Sequence, residues 1–324
     1  MKGLKRITSI ALALVMFATG IAISGPTTVK ADTATDNWKA NGIVSPKQDK
    51  LIGAGYIDVK WDNTLTDVSQ YKVYVDGDLK ATVSPLSDKT MSTEFYTTQV
   101  SEHNVYVVAT LKNGSNVQTA NRRFYVTKKG VCVNTKDMGT AVDPASMNVG
   151  WYYNWDWKSF KDMNFSNKKF DDLEFVPMIW GDSMTETSEI FDNVKSKGYK
   201  YLLAYNEPDL KWESNVRPDV MQYRWNDCVN NKGNVRPVYF TTLPTLEVPR
   251  LIPTWSNDWW TPFWNSMAAD KKNAMSFIAV HSYQKSYDGA KSALQYLQAI
   301  DECWETYHKP IWITEFAFWK FSIN

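Results

Sequence analysis

The hydrophobic pattern of this chain changes its period part-way along the sequence. Between residues 50 and 128, apolar and polar residues alternate with a period of two, which is typical of strands buried on one face. From residue 147 to 324, short apolar runs alternate with longer segments of helical spacing. The first pattern predicts antiparallel sheets, and the second predicts an α/β fold with parallel strands. Thirteen of the fifteen tryptophans follow residue 150, which also favours two folding units.

The first 31 residues have the composition of an export signal. Basic residues near the start precede an apolar run from Ile10 to Ile23, and small residues surround the end of the segment at Ala31. The apolar run is shorter than the roughly 20 residues that a membrane-spanning helix needs. We therefore expect a signal peptide at 1–31, a linker at 32–49, and a secreted protein with no membrane attachment after cleavage. An uncleaved N-terminal anchor is the alternative.

Charge and cysteine content exclude several classes of protein. Without the signal peptide, 32 basic residues oppose 35 acidic ones, and a net charge of −3 gives no indication of nucleic-acid binding. Three cysteines, at Cys132, Cys228 and Cys303, allow at most one disulfide, so the chain is not a disulfide scaffold. The cysteines and the three scattered histidines lack the spacing of a zinc site. We expect a monomer without metal or cofactor.

The alternating segment predicts a small all-β sandwich at 50–128. Ile57, Val59 and Trp61 share one parity, and Asp76-Gly77 is a two-residue hairpin signal. Further strand candidates are 71–75, 79–83, 104–111 and 122–127. The segments around Trp61, 71–74 and 105–109 resemble a fibronectin type III module. Such a module can be a spacer or can bind polysaccharide, and the spacer is favoured because most of its aromatic residues hold core positions.

After a connector at 129–146, the pattern predicts strands that alternate with helices up to residue 324. Strand candidates are 149–153, 173–179, 201–205, 238–242, 277–280 and 311–314. One helix begins near Ser183 and ends at Gly198, and another begins at Pro218 with Met221, Trp225 and Cys228 on one face. A third helix has an apolar stripe at helical spacing, formed by Ala293, Leu294, Leu297, Ile300, Trp304 and Tyr307.

Two glutamates come directly after apolar strand candidates. Glu207 follows the run 201–205 within Asn206-Glu207-Pro208, and Glu315 follows the run 311–313 within Thr314-Glu315-Phe316. Parallel strands deliver their carboxyl ends to the same side of a barrel. Two carboxylates brought together in this way are the machinery of a glycosidase. A turn-forming or solvated glutamate is the alternative for either motif alone.

Five motifs, in order, carry a resemblance to a known family. They are Gly150-Trp151-Tyr152-Tyr153-Asn154-Trp155, the run 175–181, Asn206-Glu207-Pro208-Asp209, the run 278–283 and the run 312–317. Together they resemble glycoside hydrolase family 128. The resemblance implies a (β/α)8-type TIM barrel with the acid/base after strand 4 and the nucleophile after strand 7. It also implies a retaining endo-β-1,3-glucanase that acts on a polysaccharide substrate, a β-glucan.

Carried over residue by residue, the resemblance makes Glu207 the general acid/base and Glu315 the nucleophile. Asn206 would form a hydrogen bond with a sugar 2-hydroxyl, with a turn-forming asparagine as the alternative. His281 and Tyr283 alternate at a strand end and would face the barrel mouth, where Tyr283 could orient the nucleophile. A buried, satisfied histidine is the alternative for His281. Asn215 would line the cleft within Glu213-Ser214-Asn215, where the family commonly has Gln-Ser/Ala-Asn, so that Glu213 departs from the pattern.

Aromatic residues near the strand ends offer sugar-stacking surfaces. Trp151, Tyr153, Trp155 and Trp180 could stack on glucose rings, with core packing as the alternative for about half of them. A second group follows a strand and has the spacing of a buried helical stripe, which we favour over a sugar platform. It consists of Trp255, Trp259, Trp260, Phe263 and Trp264.

The predicted strand count is incomplete at both ends of the barrel. Only two strands are clear before the Glu207 strand, so a third is expected within 157–172. After Glu315 only nine residues follow, and the sequence predicts a barrel truncated after strand 7. A truncated, catalytically inactive glucan-binding relative is therefore the alternative function.

Overall fold

The computed structural model describes residues 33–134, 143–165, 167–181, 187–233, 236–242, 256–285 and 289–319. The predicted signal peptide, the predicted helix start near Ser183 and Trp255 lie outside the described residues. Within the described ranges, none of the helices combines the length and the apolar character needed to cross a membrane.

The N-terminal unit consists of a short helix and two facing sheets. Its elements are α1 (Thr33–Asn41), β1 (Ile43–Ser45), β2 (Lys50–Gly53), β3 (Gly55–Asp62), β4 (Val68–Val75), β5 (Asp78–Val83), β6 (Thr90–Thr97), β7 (Glu102–Leu111), β8 (Asn116–Gln118) and β9 (Arg122–Thr127). One sheet has the order β1-β3-β6 and the other β2-β9-β7-β4-β5, with β8 beside β7. Apart from the parallel pair β2–β9, neighbouring strands are antiparallel.

The two-residue alternation packs the core of this sandwich as predicted. Ile57, Val59 and Trp61 are buried between the sheets, as are alternate residues of β4 and β7. The hairpin between β4 and β5 turns at Asp76 and Gly77, with φ of 53° and 89°, which is the left-handed backbone that a tight hairpin needs. The predicted linker holds α1, whose Trp38 is buried in the same core.

The C-terminal unit is mixed α/β. Its elements are β10 (Gly130–Cys132), α2 (Pro144–Met147), β11 (Trp151–Tyr153), a short 3₁₀-helix (Lys168–Phe170), β12 (Glu174–Phe175), β13 (Met178–Ile179), α3 (Thr187–Lys197), β14 (Tyr201–Ala204), α4 (Pro218–Asn231), β15 (Arg236–Thr242), α5 (Ser256–Ser266), α6 (Ala269–Ala274), β16 (Phe277–Lys285), α7 (Gly289–Tyr307) and β17 (Ile311–Trp319). All its described strand pairs are parallel, in the orders β10-β11-β12 and β13-β14-β15-β16-β17.

The missing early strand lies in the predicted connector. β10 pairs with β11 along Gly130–Cys132, whereas the described part of 157–172 forms turns and the 3₁₀-helix, so the expected position was wrong. The run is only three residues long, follows two lysines and begins with Gly130, which hides it among turn residues. β12 and β13 are two halves of one strand interrupted at Pro177, because proline cannot donate a ladder hydrogen bond. The Glu207 strand is therefore the fourth and the Glu315 strand the seventh.

The described strands do not form a closed barrel. β10 and β17 approach each other without ladder pairing in the described part of the chain, and a cavity of about 470 Å³ opens between them. Its walls include Cys132, Ile313 and Glu315. The fold shown is a mixed α/β arrangement of parallel strands with helices outside them.

The helices confirm most of the sequence pattern. Gly198, with φ of 67°, ends α3, and Pro218 opens α4. Buried residues of α4 and α5 form the core between these helices and the sheet, in agreement with the two predicted stripes. They are Met221, Trp225, Cys228, Trp259, Trp260 and Phe263.

The predicted face of α7 is confirmed only in part, because Ile300 and Tyr307 pack against the core but other members of the stripe do not. Leu294, Leu297 and Trp304 are exposed, whereas Tyr296, Ala299 and Cys303 are buried against the core. Both sets recur at helical spacing, so periodicity alone could not choose between them.

The sandwich packs against the N-terminal ends of the parallel strands. The side chain of Arg236 at the start of β15 lies 3.4 Å from the centre of the Tyr56 ring and donates to Glu94 at 2.6 Å. Lys200 donates to the carbonyl of Tyr56, and the backbone N–H of Tyr56 donates to the hydroxyl of Tyr201. Glu207 follows the C-terminal end of β14, on the side of the sheet away from these contacts. Glu315 lies in the middle of β17, because this strand continues to Trp319 beyond the predicted run 311–314.

Candidate active site

Glu207 sits in a strained loop that begins where β14 ends. Tyr205 and Glu207 have φ of 62° and 41°, a left-handed backbone that costs free energy in residues other than glycine. The loop is held because Asn206 donates its backbone N–H to the carbonyl of Trp180 at 2.8 Å and Leu210 donates to the carbonyl of Glu207 at 3.0 Å. Such strain concentrates at functional sites. The loop turns the Glu207 carboxylate toward β16 and β17.

Glu315 is aimed by an irregularity in the ladder between β16 and β17. Val280 is opposite Ile313, but the next pair is His281 with Glu315, so that Thr314 is an extra residue in β17. An inserted residue of this kind changes the direction of the side chains that follow it. The irregularity places Glu315 directly across from His281.

His281 lies between the two glutamates. Its Nδ1 is 2.8 Å from Oε1 of Glu207, and its Nε2 is 3.5 Å from Oε1 of Glu315. The imidazole is almost completely buried, and each glutamate side chain is only 9% exposed. One carboxylate oxygen of Glu207 and one of Glu315 lie within 4.8 Å of each other and of an imidazole nitrogen. The fold thus brings together two residues separated by more than a hundred positions.

Two donors from the end of β11 hold the Glu315 carboxylate. The Tyr153 hydroxyl and the Trp155 indole nitrogen each donate to Oε1 at 2.8 Å. Burial and the charge of Glu315 raise the pKa of Tyr153 well above its ordinary value, so its hydroxyl keeps the proton that it donates. Donors directed at one oxygen stabilise negative charge on this carboxylate.

This arrangement corrects the sugar-stacking role predicted for Tyr153. Its ring is fully buried, and its polar end faces Glu315 rather than the cleft. Trp151 is also not at the cleft, because it packs on Trp312 and beside Gly53 of the sandwich. Trp155 is half-buried and contributes its N–H, and Trp180 is half-buried beside the same cluster. The alternation in the sequence predicted the strand, but it did not predict which of these rings face a substrate and which pack inside the protein.

Asn206 and Glu213 are joined across the loop. Nδ2 of Asn206 donates to Oε2 of Glu213 at 3.0 Å, and Ser214 donates its backbone N–H to the carbonyl of Asn206. Burial, followed by the charge of Glu207, raises the pKa of the Glu213 carboxyl. Glu213 is therefore a third acidic group at the site, which the sequence motif indicated only as a departure from the family pattern.

The remaining predicted residues are less closely tied to the glutamates. The backbone of Tyr283 lies in β16, but its side chain lies outside the described residues. Asn215 is exposed with φ of 46°, and the hydrogen bonds described for the chain do not join it to either glutamate. Trp212 was missed. It is 54% exposed on the same loop, next to Glu213. The only signal in the sequence was a tryptophan five residues after Glu207.

Among the described residues, Glu207, His281 and Glu315 form a group whose donor atoms are close enough together to hold a metal ion. In the structure, hydrogen bonds and close contacts between side chains involve these same atoms. The imidazole orients one carboxylate and approaches the second, while Tyr153 and Trp155 donate to that second carboxylate. This is an arrangement for acid–base and nucleophilic chemistry on one bond.

Two carboxylates, one following β14 and one within β17, held by an imidazole and by aromatic donors, define a site of the glycosidase class. The family comparison agrees with that class. Residues 130–324 match the glycosyl hydrolase catalytic core family, and the chain belongs to this family. No curated protein sequence matches the chain.

Solved structures of glucanases match part of this chain. A subgroup I endo-β-1,3-glucanase of glycoside hydrolase family 128 from Amycolatopsis mediterranei, bound to laminaritriose and laminaribiose, is 25% identical over 60% of this chain and 73% of that chain, with a TM-score of 0.46. A subgroup III curdlan-specific exo-β-1,3-glucanase from Blastomyces gilchristii, bound to glucose, is 22% identical over 59% of this chain and 76% of that chain, with a TM-score of 0.45.

A structure of fibronectin(III)-like modules of Clostridium thermocellum CbhA also matches part of this chain. That protein is 19% identical over 27% of this chain and 96% of that chain, with a TM-score of 0.25.

Proposed function

We propose that this protein is a retaining endo-β-1,3-glucanase of glycoside hydrolase family 128. The observation that carries the proposal is the proximity of Glu207 and Glu315. One carboxylate oxygen of each lies within 4.8 Å of the other. Retaining glycosidases hold their carboxyl groups about 5–5.5 Å apart, whereas inverting ones need about 6.5–9.5 Å to admit a water. The spacing therefore supports double displacement through a covalent glycosyl-enzyme.

In the first step, Glu315 attacks the anomeric carbon while Glu207 gives its proton to the leaving glycosidic oxygen. Tyr153 and Trp155 both donate to Oε1 of Glu315, which leaves the second oxygen for attack. Their hydrogen bonds also fix the direction of the carboxylate, so that little reorganisation is needed at the transition state. The position of the linked oxygen, O3 in a β-1,3-glucan, does not enter this step, which is common to β-glucosidic bonds.

In the second step, Glu207 accepts a proton from water, which attacks the glycosyl-enzyme and releases Glu315. The imidazole of His281, 2.8 Å from Glu207, orients that carboxylate for both proton transfers. Because attack occurs twice at the same carbon, the product keeps the β configuration.

Three parts of the proposal rest on the five sequence motifs in their order. They are the β-1,3 linkage, the endo mode and the assignment to glycoside hydrolase family 128. The glucan would cross the C-terminal ends of the parallel strands, where Asn206 meets the sugar hydroxyl and the exposed Trp212 offers a stacking surface. The substrate is a polysaccharide, and the enzyme acts as a monomer.

The N-terminal sandwich is a fibronectin type III-like module that supports the enzyme unit and is not a substrate site. Its contacts with Lys200, Tyr201 and Arg236 at the opposite strand ends support that role. The segment 1–31 directs export and is removed, so the protein acts outside the cell. N-terminal sequencing of protein recovered from culture medium tests this, and an intact Met1 would contradict it.

Hydrolysis of linear β-1,3-glucan by the 32–324 protein tests the activity. The expected result is release of oligosaccharides of several lengths, with the new reducing end first seen by proton NMR as the β anomer. A β-1,4-glucan should release far less. Glu305→Gln, which changes an exposed glutamate on α7, is the matched control for Glu207→Gln and Glu315→Gln. Equal activity of the control and both site variants would contradict the proposal, as would an initial α anomer.

A further inference from the structure

Glu213 has a contact that the proposed mechanism does not use. Its Oε2 accepts a hydrogen bond from Nδ2 of Asn206 at 3.0 Å, within the loop that carries Glu207. The loop is closed at the same place by the bond from the Ser214 N–H to the Asn206 carbonyl. The sequence resemblance leads one to expect glutamine at this position, so a carboxylate here departs from the common pattern of the family.

A carboxylate can only accept hydrogen bonds, which restricts the Asn206 amide to one orientation. The nitrogen must face Glu213, and Oδ1 must face the other way. In the structure Oδ1 is buried and has no hydrogen-bond partner among the described residues. The amide therefore turns its oxygen inward and its nitrogen toward the acidic side of the site. One N–H bonds Glu213, and the second remains for another acceptor.

The groups that face Glu213 come from three elements. Glu207 lies on the same loop as Glu213, His281 lies on β16, and Glu315 lies on β17. Burial and then the charge of Glu207 raise the pKa of Glu213, Glu315 adds to the rise, and Asn206 and His281 oppose it. Once protonated, the carboxyl can donate to Oδ1 as well as accept from Nδ2, and the restriction on the amide is lost.

We propose that Glu213 is a positioning residue, which holds the Asn206 amide with its nitrogen toward the cleft so that one N–H is available to a sugar hydroxyl. This role rests on the proposed glucan-hydrolysing function, because it concerns how the same site grips its substrate. Glu213 acts through Asn206 and does not touch the reacting atoms.

Kinetics of Glu213→Ala and Glu213→Gln on β-1,3-glucan test the role. Loss of a hydrogen bond to a charged group predicts a fall in kcat/KM of about 10- to 100-fold for Glu213→Ala. The fall should lie mainly in kcat, because the sugar hydroxyl contact strengthens in the transition state. Glutamine keeps an oxygen that accepts from Nδ2, but like the protonated carboxyl it can also donate to Oδ1, so Glu213→Gln should recover only part of the lost activity. Its acid limb of kcat/KM should move to lower pH, because no carboxyl at position 213 takes up a proton.

The side-chain amide of Asn206 gives a readout that does not need activity. In protein labelled with ¹⁵N-asparagine, the NMR signal of the Asn206 side-chain amide is identified as the one that disappears in Asn206→Asp. That signal should shift as pH is lowered in the unsubstituted protein and should stay constant in Glu213→Gln over the same range. His281→Gln in the same experiment separates Glu213 from the nearby imidazole, and the shift should persist there.

The outcomes separate the two proposals. If the unsubstituted protein does not hydrolyse glucan but the Asn206 signal titrates with Glu213, the proposed function fails and the positioning contact stands. If hydrolysis is observed while Glu213→Ala keeps full kcat/KM, or while the Asn206 signal is the same in all variants at every pH, the positioning role is overturned. Equal losses in Glu213→Ala and Glu213→Gln, with an unchanged pH profile, would also overturn it.

Discussion

The hydroxyl of Tyr153 donates a hydrogen bond to Oε1 of Glu315 at 2.8 Å. The contact joins β11 to β17, which are the second and the seventh of the parallel strands, on either side of β10. The ring is fully buried, so it cannot turn away without opening the core. The direction of the Glu315 carboxylate is thus set by a side chain from a strand that is distant in sequence.

Removal of this hydroxyl should reduce catalysis more than stability. For Tyr153→Phe we expect kcat to fall by about 10-fold or more, because one charge-assisted hydrogen bond to Glu315 is lost. Tyr152→Phe is the matched control, since that hydroxyl accepts from the Phe160 N–H on the other side of β11. The control should lose stability in urea and keep kcat. An unchanged kcat in Tyr153→Phe would argue against the role of this bond.

Azide should distinguish the roles of the two glutamates. In Glu315→Ala it replaces the missing nucleophile and attacks from the α face, so an activated β-glucoside should yield the α-glucosyl azide. In Glu207→Ala the glycosyl-enzyme still forms, and azide then attacks from the β face to yield the β-glucosyl azide. The anomeric proton coupling in NMR identifies each product. The reverse pattern would exchange the two assignments.

Trp212 should contribute to substrate binding and not to the chemical step. Its ring is 54% exposed on the loop after Glu207. Stacking on a sugar that is formed equally in the ground and transition states lowers KM without raising kcat. Trp212→Ala should therefore raise KM for long β-1,3-glucans with kcat nearly constant. Tyr223→Ala, which removes another exposed ring from α4, is the control and should leave KM unchanged. A fall in kcat alone would exclude this role.

The buried Glu174 carboxylate should lower the free energy of unfolding at neutral pH. Burial raises its carboxyl pKa above 4.5, and the nearest cation, Lys200 at 4.0 Å, offsets this only in part. The folded state then holds its proton more tightly than the unfolded state, so wild-type stability is reduced above the raised pKa and recovers as pH falls toward 4.5.

Glu174→Gln tests that linkage. The substitution removes the buried charge, while Lys200 keeps its contacts with Asp58 and the Tyr56 carbonyl. Urea unfolding should show a higher free energy of unfolding than wild type at neutral pH, and the difference should vanish below pH 4.5. A difference that is constant with pH would show that the carboxyl charge is not its origin.

The contact between the two units should stabilise both of them. Arg236 stacks on Tyr56 and pairs with Glu94, and its side chain is only 20% exposed. Arg236→Ala should cost about 1–2 kcal/mol of unfolding free energy and speed proteolysis between the units. Arg123→Ala, which removes a 2.6 Å pair with the exposed Asp49, should cost less. Equal losses in the two variants would mean that the Arg236 contact adds nothing beyond an exposed pair.

Most of the strands and the nature of the site could be predicted from short-range patterns. The alternation in 57–61 predicted which side chains are buried, and Asp76-Gly77 predicted the hairpin. The two glutamates were predicted from apolar runs that end in a carboxylate, and the structure brings them together. These successes share a cause, because strand pleat and hairpin geometry are set by residues close in sequence.

The errors arise where two arrangements satisfy the same pattern. The two apolar stripes of α7 are both compatible with a helix, and only the position of the sheet selects Tyr296, Ala299 and Cys303 for burial. β10 is a three-residue strand whose identity comes from its pairing with β11. Tyr153 could have stacked on a sugar or faced the core, and the direction of its hydroxyl depends on where Glu315 lies.

By itself, the sequence determined that parallel strands deliver Glu207 and Glu315 to one end of the sheet, since strand polarity follows from the order of apolar runs and helices. The tertiary structure alone decided their separation, the extra residue at Thr314, the imidazole between them and the bond from Asn206 to Glu213. These features depend on contacts between segments far apart in the chain, whose relative positions are fixed only when the whole core is packed.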